Sequence, residues 1–270
     1  MKQNLHTHTK YDDGMGSVEE IVQSALAKGF DTLGFSGHSP NPIDTCAMSP
    51  LAEKQYRKDI LEAKEKYKDQ IDIYLGLEQD SLSALSFKDY DYRIGSVHWL
   101  VKDNKAWPID ESKEGYEKML DAFGGIYPMA REYFAQVKSL KDEPVQIIGH
   151  LDLIAKYNEN EDYYSFEDPI VQDMAKEAIM ALIEKGKIFE VNTGAISRGY
   201  RTNPYPYKDL LVFIQEKGGK ILLNSDSHAP ESLDCAFDKA LAAIKEAGFK
   251  EMMHFKDGKF VPVKVEEWSA

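Results

Sequence analysis

The sequence alternates short apolar runs with amphipathic helical stretches, and this alternation constrains the fold more than any other feature. Between the runs, apolar residues recur three or four positions apart, the pattern of a helix with one buried face. The strand-like runs cover 4–9, 32–38, 73–78, 92–98, 146–150, 188–192 and 220–226. Strands that alternate with helices favour a parallel sheet. Seven such units predict an α/β fold, a closed or nearly closed barrel.

Several helix boundaries are marked by the residues that begin or end helices. Ser17 and Glu20 have the spacing of a capping box, and Ser49-Pro50 and Asp168-Pro169 resemble an N-cap followed by proline. We expect a long helical region at about 114–140, broken at Gly124-Gly125 and Pro128. The tail at 252–265 predicts a small hairpin.

Length and composition suit one domain. The 270 residues, 43% of them hydrophobic, allow a single large core, so we expect one domain over residues 1–270. No apolar run approaches the ~18 residues of a membrane helix, and the first residues lack a signal-peptide pattern. Because the only cysteines, Cys46 and Cys235, lie far apart, we expect no disulfide framework and a cytoplasmic location.

The formal net charge is −13. A surface this acidic repels a phosphate backbone, so a general nucleic-acid binder is disfavoured. An anionic substrate then needs a local source of positive charge, such as metal ions or a few arginines.

Six of the seven histidines and several carboxylates occur where the predicted strands end. In a parallel barrel, the carboxyl ends of the strands converge on the face where active sites are built. The residues at these ends are His6, His8, His38, Glu78, His98, His150, Asp226 and His228. A single histidine there would mean little, but this many indicate a functional cluster.

Histidine and carboxylate without thiolate suit zinc, iron or manganese. His6 and His8 alternate along one strand, so both rings project to the same side. Asp226 and His228 have the same spacing, and Glu78 has one carboxylate oxygen for each of two metals.

These residues also resemble a known family. The segments 6–9, 37–39, 95–98, 149–150 and 225–228 look like the ordered motifs of the PHP (polymerase and histidinol phosphatase) superfamily, and the monofunctional histidinol-phosphate phosphatases within it are the nearest match. The resemblance spans nearly the whole chain. It implies a distorted (β/α)7 barrel of the PHP type with three divalent metal ions.

The resemblance also implies the role of each residue. It assigns His6, His8, Glu78 and Asp226 to one metal, Glu78, His98 and His150 to a second, and Asp13, His38 and His228 to the third. Asp13 is preferred to Asp12 because the family motif has its aspartate directly before glycine. Direct catalytic roles fall to Glu78, Asp226 and His228. Arg198 is expected to bind the substrate phosphate, with Arg201 as the alternative.

We therefore expect a phosphoric monoester hydrolase of histidine biosynthesis that cleaves L-histidinol phosphate by a metal-bridging hydroxide. The positive charge of three divalent ions exceeds the negative charge of three carboxylates and one hydroxide, so the filled site would attract a phosphate dianion. The expected partner is a small phosphomonoester, with no nucleic acid and no membrane; the oligomeric state is not predicted.

Two alternatives stay open. A PHP enzyme acting on phosphotyrosine peptides or nucleotides would share the metal site. An amidohydrolase-type metallohydrolase also begins with two histidines on its first strand, although it would not explain Asp13 and His38. The nine apparent ligands disfavour a third class, a non-catalytic binding module. Outside the predicted ligand set, we interpret His254 as an ordinary hairpin or surface residue, and Asp80, Glu111 and Asp152 either as partners for a substrate ammonium group or as surface or supporting charges.

Overall fold

The computed structural model of the chain describes residues 1–83 and 88–270. Its helices are α1 (Val18–Ala27), α2 (Pro50–Tyr67), α3 (Lys113–Phe123), α4 (Ile126–Ser139), α5 (Pro169–Glu184), α6 (Gly194–Ser197), α7 (Lys208–Glu216) and α8 (Phe237–Glu246). Its strands are β1 (Gln3–Asn4), β2 (Thr32–Phe35), β3 (Asp72–Asp80), β4 (Tyr92–Ser96), β5 (Trp99–Lys102), β6 (Lys105–Pro108), β7 (Ile147–Ile148), β8 (Ile188–Asn192), β9 (Lys220–Asn224), β10 (Glu251–Lys256) and β11 (Lys259–Lys264).

A parallel sheet of order β1-β2-β3-β4-β7-β8-β9 forms the centre of the described part of the chain. Its two edges meet where Thr7 pairs in parallel with Ser227. The His8 amide donates to the Ser227 carbonyl at 2.8 Å, and the Ser227 amide donates to the His6 carbonyl at 3.1 Å. The sheet therefore closes into the predicted seven-stranded barrel, and closure occurs directly beside two candidate ligands.

Local sequence signals begin α1 and α2 where the sequence predicts. Ser17 and Glu20 form a reciprocal capping box at α1, and Ser49 caps α2 ahead of Pro50. The 114–140 region breaks at Gly124-Gly125, as expected, but not at Pro128. Pro128 lies in the first turn of α4, where a residue without an amide hydrogen loses no helical hydrogen bond.

The barrel interior below the site is filled by large side chains from several strands. Tyr92 points across the barrel, and its hydroxyl donates to the carbonyl oxygens of Leu5 and Phe35. Gly76 allows this, because a Cβ there would overlap the Tyr92 ring. The predicted tail hairpin, β10–β11, closes the amino-terminal end of the barrel with Phe255. The functional face is therefore at the opposite end.

One hairpin was not predicted. Strands β5 and β6 pair in antiparallel register directly after His98, joined by Asp103 and Asn104, which both have positive φ angles of 51° and 60°. Such φ values are typical of the tight turns that join antiparallel strands. Among the described residues, no helix is both long and apolar enough to cross a membrane.

Candidate metal centre

A first group of four donor atoms lies at the carboxyl end of the barrel. Nε2 of His6 is 3.2 Å from Oε2 of Glu78 and 3.7 Å from Oδ1 of Asp226. Nε2 of His8 is 3.6 Å and 3.2 Å from the same two oxygens. A tetrahedral zinc ion with bonds of about 2.0–2.1 Å holds its ligand atoms about 3.3 Å apart, so this spacing fits one ion.

The buried atoms of this group lack other partners. Nε2 of His6, Nε2 of His8 and Oε2 of Glu78 are inaccessible to solvent and make no hydrogen bond to any described residue. Buried polar atoms are costly when unpaired, and these three face one another. A divalent cation would satisfy all of them together, so the residues fit the metal that the sequence predicts.

A second group shares Glu78 with the first. Oε1 of Glu78 is 3.4 Å from Nε2 of His98 and 3.1 Å from Nε2 of His150, and the two nitrogens are 3.2 Å apart. Oε1 also accepts a hydrogen bond of 2.6 Å from Ser96. Glu78 thus offers one oxygen to each group, which is the geometry of a bridging carboxylate.

The third group is wider and more open. Oδ2 of Asp13 is 3.3 Å from Nε2 of His228, and Oδ1 is 3.8 Å from Nε2 of His38. His8 completes this set, whose ligand atoms lie within 4.8 Å of one another. His38 also places Nδ1 3.1 Å from Oε2 of Glu78, so it stands between the third group and the other two. All nine predicted ligands therefore meet at one end of the barrel.

A layer of further carboxylates lies behind the histidines. Nδ1 of His6 is 2.7 Å from Glu190, and Nδ1 of His8 is 2.6 Å from Asp12. Nδ1 of His98 is 3.3 Å from Asp80 in the same manner. Carboxylates in this position orient metal-binding histidines and raise their basicity.

These roles of Glu190 and Asp12 were not predicted. A lone charged residue inside the apolar strand run 188–192 was a signal for Glu190. Asp12 lies behind His8 and also accepts hydrogen bonds from the Thr9 and His38 amides, at 2.8 Å and 3.0 Å. The structure therefore places the carboxylate of Asp13, the predicted ligand, beside the rings of His38 and His228.

The groups strongly perturb one another's ionisation. Burial alone would lower the pKa of His8, but Asp12, followed by Asp226, raises it to about 10. Burial alone would raise the pKa of Glu78, yet His6, His98 and His38 hold it well below its ordinary value. Glu78 is therefore ionised at neutral pH, and protons on the histidines compete with metal ions for the same nitrogen atoms.

Asp226 has an unusual backbone conformation. Its φ of 52° lies in the left-handed region, which side-chain-bearing residues rarely adopt and which occurs disproportionately at functional sites. The neighbouring Gly194 must be small, because a Cβ there would lie 2.6 Å from Oδ2 of Asp226 and 2.9 Å from Nη2 of Arg198. The absence of a side chain at Gly194 therefore lets Asp226 and Arg198 lie close to the backbone there.

A cavity of about 310 Å³ opens onto the cluster. Arg198 lines it and donates from Nη2 to Oδ2 of Asp226 at 3.0 Å, and its Nη1 lies 2.8 Å from Nδ1 of His228. Arg201 is not among the lining residues. It is 4% exposed, with Nη1 3.8 Å from Asp152 and Nε 3.6 Å from Glu159. The structure thus brings Arg198, the first choice, to the cavity and leaves the alternative buried behind it.

The remaining sequence candidates also differ in whether they line the cavity. Glu111 lines the cavity, whereas Asp80 contacts His98 and Asp152 accepts a hydrogen bond from the Tyr207 amide at 3.0 Å. His254 is far from the cluster, on β10, where Nε2 is 3.0 Å from the Thr32 hydroxyl. His254 is therefore a buried residue of the tail hairpin and not a surface residue.

Comparison with known proteins identifies a common family. A model of the PHP domain matches residues 4–194. The chain is 28% identical over 266 residues to the "Probable histidinol-phosphatase" of Schizosaccharomyces pombe, covering 90% of this chain and 85% of that protein. It is 23% identical over 265 residues to the "Histidinol-phosphatase" of Bacillus subtilis, covering 89% and 98%.

Solved structures show the same fold. A candidate histidinol phosphatase from Listeria monocytogenes superposes with a TM-score of 0.79 at 21% identity, covering 88% of this chain and 99% of that one. The histidinol phosphate phosphatase of Lactococcus lactis, crystallised with zinc, L-histidinol and phosphate, superposes with a TM-score of 0.73 at 24% identity, covering 96% and 98%. Together with the match over residues 4–194, more than half of the sequence, the barrel and its motifs show that this chain belongs to the PHP domain family.

Proposed function

We propose that this chain hydrolyses L-histidinol phosphate to L-histidinol and phosphate, using three divalent metal ions held by the nine clustered residues. The observation that carries the proposal is the shared carboxylate: Glu78 faces one group of ligands with Oε2 and another with Oε1. When bound, divalent ions at such a site lower the pKa of water and neutralise charge on phosphoryl oxygens.

The roles of the protein residues follow from their positions. We assign direct catalytic roles to Glu78 and Asp226, which fix the spacing of the buried groups, and to His228, which is partly exposed at the cavity wall. Arg198 is suited to bind the substrate phosphate, because guanidinium has five donors and can contact phosphate while retaining a bond to Asp226.

The cavity also offers charges that suit the rest of the substrate. Asp44, Asp110 and Glu111 line it together with Arg198 and Lys156. Lys156 is engaged with Asp110, since Nζ lies 3.0 Å from its carboxylate. A phosphomonoester that carries an ammonium group, as histidinol phosphate does, would therefore find carboxylates within the same cavity.

The choice of substrate rests on the relatives. The Schizosaccharomyces pombe and Bacillus subtilis proteins are named as histidinol-phosphatases, and both align over about nine-tenths of this chain. We propose the cytoplasm as the location, because both cysteines, Cys46 and Cys235, are free and a reducing compartment keeps thiols in that state.

The test is phosphate release, comparing kcat/KM for L-histidinol phosphate with a phosphotyrosine peptide, nucleoside monophosphates and p-nitrophenyl phosphate. Each is assayed with divalent metal and with chelator. We expect a preference of about 100-fold or more for histidinol phosphate, about 2.7 kcal/mol of transition-state discrimination. Chelator should abolish turnover of every ester. Better turnover of a nucleotide or phosphopeptide would refute the substrate and leave the metal centre standing.

A further inference from the structure

Glu190 occupies the middle of β8 and is fully buried inside the barrel. Its Oε1 lies 2.7 Å from Nδ1 of His6 and accepts a hydrogen bond from Nδ2 of Asn224 at 2.8 Å. Its Oε2 accepts from the His150 amide at 2.9 Å and from Nδ2 of Asn192 at 2.8 Å. One carboxylate therefore contacts two ligand-bearing segments, after β1 and after β7, and the ends of β8 and β9.

The two asparagines have fixed orientations. Oδ1 of Asn192 accepts the Gly194 amide at 2.8 Å, and Oδ1 of Asn224 accepts the Leu5 amide at 2.8 Å. Each asparagine must therefore turn its NH₂ group towards Glu190. Together with the His150 amide, they present only donors, which an ionised carboxylate can accept because it has no hydrogen to offer.

The same contact determines the state of His6. A neutral imidazole carries its proton on one nitrogen and a lone pair on the other. When Nδ1 donates to Glu190, the lone pair lies on Nε2, the atom that faces Glu78 and Asp226. The opposite tautomer would direct a hydrogen at the position where the first group would hold its metal.

We propose that Glu190 is a positioning residue that fixes His6 in the tautomer able to bind a divalent metal ion and fixes the backbone that carries His150. It acts through these two ligands and does not line the cavity. This inference rests on the proposed metal centre and is independent of which phosphomonoester is the substrate.

The test replaces Glu190 with glutamine, which preserves size and removes the second acceptor. In either orientation of the new amide, its NH₂ group would meet a donor: Asn224 and His6 on one side, or Asn192 and the His150 amide on the other. We expect zinc affinity, measured by competition with a chromophoric chelator, to fall about 10- to 100-fold, the usual effect of removing a partner behind a metal-binding histidine.

Two further measurements distinguish a positioning role of Glu190 from a general loss of stability in the variant. Excess free zinc should restore phosphatase activity to Glu190→Gln, because the defect is one of affinity. The control, Asp234→Asn, removes a carboxylate that bonds Lys2 and Lys28 and contacts no candidate ligand, so it should lower Tm without changing zinc affinity. Unchanged zinc affinity in Glu190→Gln would overturn the inference, whereas absence of zinc binding by the wild-type protein would overturn the metal centre itself.

The wild-type protein provides a test that does not depend on the variant folding. In the zinc-loaded protein, ¹H–¹⁵N correlation of the histidine side chains should show His6 protonated at Nδ1, with a slowly exchanging proton. A His6 ring protonated at Nε2 instead would contradict the proposed role of Glu190.

Discussion

Replacing Glu78 with glutamine tests the shared carboxylate most severely. Glutamine has one oxygen, so its NH₂ group must face either Nε2 of His6 and His8 or Nε2 of His98 and His150. Removal of a supporting partner already costs 10- to 100-fold in metal affinity, so loss of a direct ligand should cost more than about 100-fold. We expect both ions that share Glu78 to bind weakly.

The magnitude follows from mass action. A 100-fold loss of affinity lowers the stabilisation by about 2.7 kcal/mol per ion. Weaker binding of two ions therefore removes about 5 kcal/mol of metal-dependent stability. For a chain of this size, that corresponds to roughly 10–20 °C in Tm. The assay is the difference between Tm with zinc and Tm with chelator, because this difference cancels any effect of Glu78→Gln on the metal-free protein.

The matched control is Glu53→Gln, the same chemical change at a glutamate on α2 that accepts a hydrogen bond from Tyr90. It should retain the full zinc-dependent increment of Tm. The reasoning about Glu78 is refuted if Glu78→Gln keeps both the wild-type increment and near-normal turnover.

Three further outcomes are expected. Arg198→Ala should lower kcat/KM about 100-fold with little change in Tm, because Arg198 lines the cavity; an unchanged kcat/KM would remove it from substrate binding. Arg201→Ala should instead lower Tm by several degrees, because its removal leaves the buried Asp152 without its cation; equal effects on turnover and stability in both variants would contradict this division. For Asp234, burial alone would raise the pKa, but Lys2 and Lys28 lower it, so its stabilising effect is present above the ordinary value of 3.8 and is lost as the pH falls. Asp234→Asn should therefore lower Tm by about 2–4 °C at pH 7, with a difference that shrinks below about pH 4 in thermal scans; a constant difference would rule out the ion pairs as its source.

The positions of the candidate ligands were predictable because parallel strands place their carboxyl ends on one face. Each residue needed only to follow an apolar run, as His38 and His98 do after β2 and β4. The alternation of His6 and His8 likewise fixed their common direction without knowledge of the fold. The choice of Asp13 over Asp12 came from the family resemblance, since both aspartates are equally close in sequence.

The supporting residues were harder to predict because their roles depend on partners distant in sequence. Glu190 acts on His6, 184 residues away, and its strand is otherwise apolar. The β5–β6 hairpin was hidden because it follows His98 without an intervening loop, although Asp103 and Asn104 were a turn signal. Arg198 and Arg201 are three positions apart in one irregular segment, and only tertiary packing determines which of them reaches the cavity.

We propose that nine side chains hold three metal ions, with Glu78 between the first two. Anomalous diffraction from crystals of the zinc-loaded protein, recorded on both sides of the zinc edge, tests it most directly. We expect three peaks: one among His6, His8, Glu78 and Asp226, one among Glu78, His98 and His150, and one among Asp13, His38 and His228. A single peak, or two peaks that do not both contact Glu78, would contradict it.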